Sequence, residues 1–317
     1  MFLSKITGMS KALALATLTT FSFIACEKDA VTPPTIAATV IAGSNFTLLK
    51  AALTKAELVA TFQGAGTFTV FAPTDDAFKA VGITQATIDG LGKEALAGIL
   101  KFHVLGTKVT AADIPTDDNK PVTTLNGVAY VTKNAGGVSI NGAKVTSADV
   151  AASNGVIHVI DRLILPTTKD LVATLQADPN YSLLVAAVVK AGLVGTLQGA
   201  GPFTVFAPND VAFKALGADY ATATAINNLN ATKTEALKNI LQYHVVGARV
   251  FSQNLKAGAV PTALATKSVT IDLANGVKVT GIAAGNTANV VTSPVSNFNI
   301  VATNGVAHTI DKVLLPQ

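Results

Sequence analysis

The sequence predicts one mixed helix-and-strand domain used twice in succession, and three observations carry that expectation. The hexapeptide Phe-Thr-Val-Phe-Ala-Pro occurs at Phe68–Pro73 and again at Phe203–Pro208. Each copy follows apolar residues at helical spacing and precedes Val/Thr-rich runs broken by Asn-Gly. All four histidines fall in paired places. His103 and His244 sit in Phe102-His103-Val104 and Tyr243-His244-Val245. His158 and His308 sit in stretches that run from Asn154 to Asp161 and from Asn304 to Asp311. The second copy is slightly longer between motifs, as two short loop insertions near Ala218–Asn230 and Ile282–Asn299 would make it.

A chain of 317 residues holds about two domains at roughly 100–200 residues each. The repeat is too long for a solenoid unit of about 20–50 residues and long enough to close its own core. Half the residues are apolar and 13% are charged, which excludes a disordered chain. The formal charge of +4 includes Lys5 and Lys11, which lie in a leader segment. The remaining cations are scattered, so no nucleic-acid groove is expected.

Met1–Ala25 reads as an export signal. Lys5 and Lys11 give it a positive end, and Ala12–Ala25 is uncharged, mostly apolar and too short to span a bilayer. Cys26, the single cysteine, follows it directly. Ala25-Cys26 resembles the bacterial lipoprotein box, which implies lipidation of Cys26 and anchoring to the membrane through an N-terminal lipid. Acyl chains add about 0.8 kcal/mol per buried methylene, so several chains anchor stably. Residues 26–35, with charges followed by Pro33-Pro34, read as a tether. With no cysteine beyond Cys26, neither domain can hold a disulfide.

In the first copy Asn45 is placed to cap a helix on which Phe46, Leu49 and Leu53 share a face. Tyr181, Leu184, Val185 and Val188 follow the same period in the second. Both helical regions end in Gln-Gly-Ala-Gly. A dinucleotide fingerprint runs strand, glycine loop, helix, whereas here the loop enters a strand; a helix terminator is preferred. Alternation in Phe-Thr-Val-Phe puts Phe68 and Val70 on one face, Thr69 and Phe71 on the other, so the strand is covered on both sides. After Pro73 and Pro208, Thr74 and Asn209 are cap residues and Asp75 and Asp210 lie in a first turn. A catalytic carboxylate is the alternative there. The next helix carries Leu96, Ile99 and Leu100, or Leu237, Ile240 and Leu241, and its phase puts His103 and His244 on the apolar face. A buried histidine tying down a backbone group is preferred to a ligand. Short strands follow at Val122–Leu125, Val128–Thr132 and Val138–Ile140, then at Ser268–Leu273 and Val277–Thr280. A nearly continuous apolar strand, Val156–Leu165 or Val306–Leu315, closes each copy and should be central. Only Thr167–Asp170 separates the copies, so the domains should touch or move little.

These residues resemble the fasciclin family. Phe-Thr-Val-Phe-Ala-Pro-[Thr/Asn]-Asp-x-Ala-Phe and Asn-Gly-x-x-His-x-[Ile/Val]-Asp-x-x-[Ile/Leu]-x-Pro each occur twice and in order, with the aromatic-His pair between them. The resemblance covers roughly Ile36–Pro316, with domains at 36–166 and 167–317. It implies an α+β fold, a wedge of mostly antiparallel strands packed against several helices. It implies no common enzymatic activity and no cofactor. Family members are extracellular or surface-anchored adhesion and interaction proteins, and the aromatic-His segment has been implicated in receptor contact in animal members. The family-motif residues here are Phe71, Pro73, Thr74, Asp75, His103, His158, Asp161, Phe206, Pro208, Asn209, Asp210, Tyr243, His244, His308 and Asp311, read as structural.

The leading expectation is a lipid-anchored adhesion protein of a bacterial cell envelope, outer-membrane or surface-exposed, that binds matrix polysaccharide or a surface protein. A metal-dependent hydrolase built on the histidines with Asp161 or Asp311 is a second reading, weakened by the absence of His-x-x-x-His and Gly-x-Ser-x-Gly. A periplasm-facing structural or small-ligand lipoprotein is a third.

Overall fold

The computed structural model of the chain describes residues 32–292 and 298–317. The leader, Cys26 and most of the tether lie outside the described residues, as does part of the second insertion.

Both domains are α+β and open with helices. In the first, α1 (Ile36–Ala42), α2 (Thr47–Lys55) and α3 (Val59–Gln63) lead into β1 (Phe68–Pro73). Next come α4 (Asp75–Ala80), α5 (Gln85–Gly90), α6 (Lys93–Phe102) and the short β2 (Val104–Leu105). The strands β3 (Asp117–Thr124), β4 (Gly127–Asn134), β5 (Gly137–Ile140), β6 (Ala143–Ala152) and β7 (Gly155–Ile160) complete it. The second domain repeats the order. It has α7 (Leu171–Gln176), α8 (Ser182–Lys190), α9 (Val194–Gln198), β8 (Phe203–Pro208), α10 (Asp210–Lys214), α11 (Ala223–Asn227), α12 (Ala231–Tyr243) and β9 (Val245–Val246). Its later strands are β10 (Gly258–Pro261), β11 (Ser268–Asp272), β12 (Lys278–Thr280), β13 (Thr287–Asn289), β14 (Ile300–Ala302) and β15 (Gly305–Ile310).

The first domain holds one sheet in the order β2-β1-β7-β6-β5-β4-β3. The second divides the same wedge into β14-β15-β8-β9 and β10-β11-β12-β13, with Val290 bridging to Ile310. All neighbours are antiparallel except β1 with β7 and β8 with β15. The repeated hexapeptide is therefore the parallel partner of the closing strand, Phe71 opposite His158 and Phe206 opposite His308.

That pairing places β1 and β8 between two apolar cores, as the alternation predicts. Val70 and Ala72 face the helices with Leu49, Leu53, Phe78 and Ile157. Phe71 faces the other way, toward Phe102, Val131, Ile140 and Ile160. Val205 and Ala207 repeat the helix-facing pattern, and Phe206 joins Tyr243, Ile271 and Val279 on the far side. Truncating a fully buried phenylalanine costs about 3–5 kcal/mol, so Phe71 and Phe206 each fasten a sheet to its second core.

Three expectations need correction. Asn45 does not cap the helix after it: Phe46 occupies the N-cap of α2 and makes no side-chain cap bond. The closing strands end at Ile160 and Ile310, although Leu163, Ile164, Val313 and Leu314 beyond them stay buried. Apolar burial without ladder pairing reads as strand in a sequence. The third concerns α6 and α12, which end at Phe102 and Tyr243, so His103 and His244 are C-caps rather than helical residues.

Candidate functional site

The motif residues gather where the helices meet β1 and β7, or β8 and β15. Thr74 accepts a hydrogen bond from Ala77 N at 3.2 Å, and Asn209 accepts from Ala212 N at 2.9 Å, the N-cap bonds of α4 and α10. The following aspartates reach elsewhere. Asp75 Oδ1 accepts from Leu48 N at 2.8 Å and Oδ2 from Thr47 Oγ1 at 2.6 Å. Asp210 does the same with Leu183 N at 2.9 Å and Ser182 Oγ at 2.5 Å. Each aspartate thus meets donors that α2 and α8 leave open at their first turns. Burial pushes the Asp75 carboxyl up, but the Thr47 and Leu48 bonds with the Lys79 charge outweigh it and hold the group below its usual range.

All four histidines are buried with both ring nitrogens bonded to backbone. His103 Nδ1 donates to Ile99 O at 2.8 Å while Nε2 accepts from Ile164 N at 3.2 Å. His244 repeats this with Ile240 O at 2.7 Å and Leu314 N at 2.9 Å. The closing-strand histidines use the opposite tautomer. His158 Nε2 donates to Val109 O at 2.9 Å and Nδ1 accepts from Asp149 N at 3.2 Å. His308 pairs with Val250 O at 2.8 Å and Asn299 N at 3.4 Å. Each ring must be neutral to accept one bond and donate the other. Burial pushes His103, His244 and His308 down to about 4.

Asp161 and Asp311 fasten strand ends. Asp161 accepts from Lys144 N at 2.8 Å; Asp311 accepts from Asn289 N and Nδ2, both at 2.7 Å. Pro73 and Pro208 close their strands opposite Ile160 and Ile310. Phe102 and Tyr243 are interior, and the Tyr243 hydroxyl donates to Ser268 O at 2.7 Å. The aromatic-His segment is therefore core in both domains. Among the described residues, no three His, Cys, Asp or Glu side chains gather as a metal-binding group. No described helix is long and apolar enough to cross a membrane.

Asn154 and Asn304 were not singled out among the candidate residues, although they open the second motif. Asn154 Oδ1 accepts from Ile36 N, and its Nδ2 donates to Phe62 O and Gly64 O, all at 2.9 Å. Asn304 makes the matching set with Leu171 N at 2.9 Å and with Leu197 O and Gly199 O at 2.8 Å. The Asn-Gly pair reads as a hairpin turn, and only the fold reveals that the amide also staples two helices. The glycine is required as well: a Cβ on Gly155 would lie 2.0 Å from Phe68 O.

The two domains touch through polar side chains. Arg249 donates to Ala302 O at 3.0 Å, Gly305 O at 2.6 Å and Thr303 O at 2.9 Å. Its guanidinium carbon lies 4.2 Å from the centre of the Tyr130 ring of the first domain. Asn119 donates to Arg249 O at 2.5 Å, Asn134 to Gln253 O at 2.9 Å and Asn254 to Asp118 at 2.6 Å. Beside the linker, Arg162 Nη1 donates to Phe298 O at 2.9 Å. Arg162 also lines a cavity of about 460 Å³ between Leu163–Lys169 and residues 298–301.

The fasciclin domain model matches residues 44–166 and 179–316. The chain is 27% identical to pig (Sus scrofa) transforming growth factor-beta-induced protein ig-h3 over 80% of its own length and 35% of that protein's. It is 41% identical to protein sll1483 of Synechocystis over 49% of this chain and 87% of that one. A solved FAS1 domain pair from the insect cell adhesion molecule Fasciclin I aligns at 21% identity and a TM-score of 0.41, covering 84% of this chain and 95% of that one. The chain thus spans about a third of the length of ig-h3 and most of sll1483. With two matched domains that fill most of its length, the chain belongs to the fasciclin family.

Proposed function

We propose that the chain is a lipid-anchored, non-enzymatic adhesion protein of a bacterial cell envelope, exposed at the surface and binding matrix polysaccharide or protein. Its domains run over 36–166 and 167–317, with Cys26 as the lipidated residue. Family membership supports an adhesion-type role. The observation that carries the reading is how the motif groups are used. The four histidines, Asp75, Asp161, Asp210 and Asp311 all bond to the chain's own backbone. The repeated motifs then form the scaffold, and partner choice falls to segments where the copies differ, including Ala218–Asn230.

The test is surface retention. Cells carrying the full chain should hold it in a lipid-modified, membrane-bound form that external protease removes, and the cells should retain matrix. Cys26→Ser should release the chain and abolish retention. A chain protected from external protease would favour the periplasm-facing reading, and unchanged matrix retention without the protein would overturn adhesion.

A further inference from the structure

Arg162 is an unusual cation. Its Nη1 donates to Phe298 O, but Nε is shielded from water and has no hydrogen-bond partner, the one such buried side-chain nitrogen or oxygen among the described residues. No carboxylate lies within ion-pair distance of it among the described residues. Its neighbour Asp161 accepts from Lys144 N instead. A guanidinium buried without a counter-ion is costly, and an anion beside it offsets the charge.

The surroundings indicate which anion. None of the residues lining the cavity of about 460 Å³ is acidic, and Lys169 adds a second positive charge at its wall. That volume falls within the roughly 300–1,000 Å³ of small-molecule sites. The walls combine apolar surface from Leu165, Pro166 and Phe298 with the hydroxyl of Thr168. One free guanidinium donor amid apolar walls suits a monoanion on a neutral organic body better than a phosphate dianion, which needs several donors. With Nη1 engaged on Phe298 O and Nε shielded, Nη2 is the donor left open to a ligand, and a charged N–H of this kind bonds a carboxylate strongly.

We propose that this cavity binds the carboxylate of a uronic acid unit in an acidic polysaccharide, held by Arg162 with Lys169 in support. The proposal rests on the adhesion reading for the source of its ligand. Hydroxyls of the sugar meet Thr168 and its apolar face meets Leu165 and Phe298.

Calorimetric titration of the full chain with tri-uronides of galacturonic, glucuronic and mannuronic acid tests it. Their methyl esters, inorganic phosphate and an aspartate-rich peptide serve as comparison probes. At least one tri-uronide should bind, its methyl ester at least tenfold more weakly, and binding should weaken with salt. Arg162→Gln should weaken it at least tenfold, Arg162→Lys nearly as much, and Lys169→Ala a few-fold. The ester comparison uses the unaltered chain and stands even if an Arg162 variant misfolds. No tri-uronide binding, equal binding of the ester, or preference for phosphate or the peptide would overturn the proposal. An Arg162→Gln chain that folds and binds uronide normally would do the same. Loss of this site with matrix retention intact leaves the adhesion reading standing; uronide binding without matrix retention removes adhesion alone.

Discussion

The Asp75 carboxylate caps a helix other than its own, with Oδ1 2.8 Å from Leu48 N at the start of α2. Asp210 stands 2.9 Å from Leu183 N in the same relation to α8. The N-cap positions of both helices, Phe46 and Tyr181, make no side-chain cap bond, so the aspartate supplies it from a distant part of the chain. A motif residue next to the central strand thereby fixes the helical layer onto the sheet.

Asp75→Ala should therefore destabilise the protein by about 1 kcal/mol, the usual value of a lost cap. Asp210→Ala should do the same in the second domain. The Asp75 effect should depend on pH. Because its folded pKa is depressed below 3.8, its contribution is present above that value and is lost as pH falls through the lower folded one. Urea unfolding of the native chain and Asp75→Asn should differ by the same amount at pH 7 and pH 5, because the loss sets in only below 3.8.

Asn154 carries more than a hairpin turn requires. Asn154→Ala would leave Ile36 N, Phe62 O and Gly64 O without their partner. At about 1–3 kcal/mol for each buried group left unsatisfied, less whatever water recovers, a loss of roughly 3 kcal/mol is expected. Asn154→Asp should be worse, since a carboxylate would face two carbonyl oxygens where the amide now donates. Thermal unfolding of both variants, with Asn304→Ala as the counterpart, measures this.

Much of this architecture was legible because the repeat presents each local signal twice. Strand alternation put Phe71 on the opposite face from Phe68 and Val70 but did not say which face the helices cover, and the cap positions of Thr74 and Asn209 follow from one turn of chain. Long-range partners were not legible. Asp75 meets Leu48 and Asn154 meets Ile36 only once β1 lies parallel to β7. The strand β6 was missed for another reason. It is exposed at most positions and has two register irregularities, so no apolar period marks it. Arg162 and Arg249 were invisible as well, since their partners lie across the domain junction or on carbonyls of a remote turn.

The buried histidines should make the fold acid-sensitive well above the carboxylate range. His103, His244 and His308 are held near 4 from an ordinary 6.5. Below 6.5 the unfolded chain takes up protons that the folded chain refuses, so stability falls as pH drops toward 4. Three such groups give a slope of up to about 4 kcal/mol per pH unit. Urea midpoints at pH 7.5, 6 and 5 should decline steeply, and His308→Gln should reduce the slope by about a third. A flat profile over this interval would mean that the rings protonate in the folded state.

The last prediction concerns the coupling of the two domains. Arg249 binds three carbonyls of its own domain and stacks under Tyr130 of the other, while Asn254 reaches Asp118 and Thr132. Such a desolvated cation–π contact contributes about 2 kcal/mol, and the surrounding bonds are directional, so the native chain should unfold in one calorimetric transition. Tyr130→Ala with Asn254→Ala removes contacts from each side while leaving the Arg249 bonds to Ala302, Thr303 and Gly305 in place. That double variant should resolve two transitions, each domain melting by its own core. Arg249→Met should behave differently, since it also strips three carbonyls of their donor within the second domain. Its second-domain transition should fall by several degrees while the first-domain transition moves little. If the double variant still melts in one step, the domains are coupled through the apolar linker segment around Leu163 and Ile164 rather than through this polar clasp.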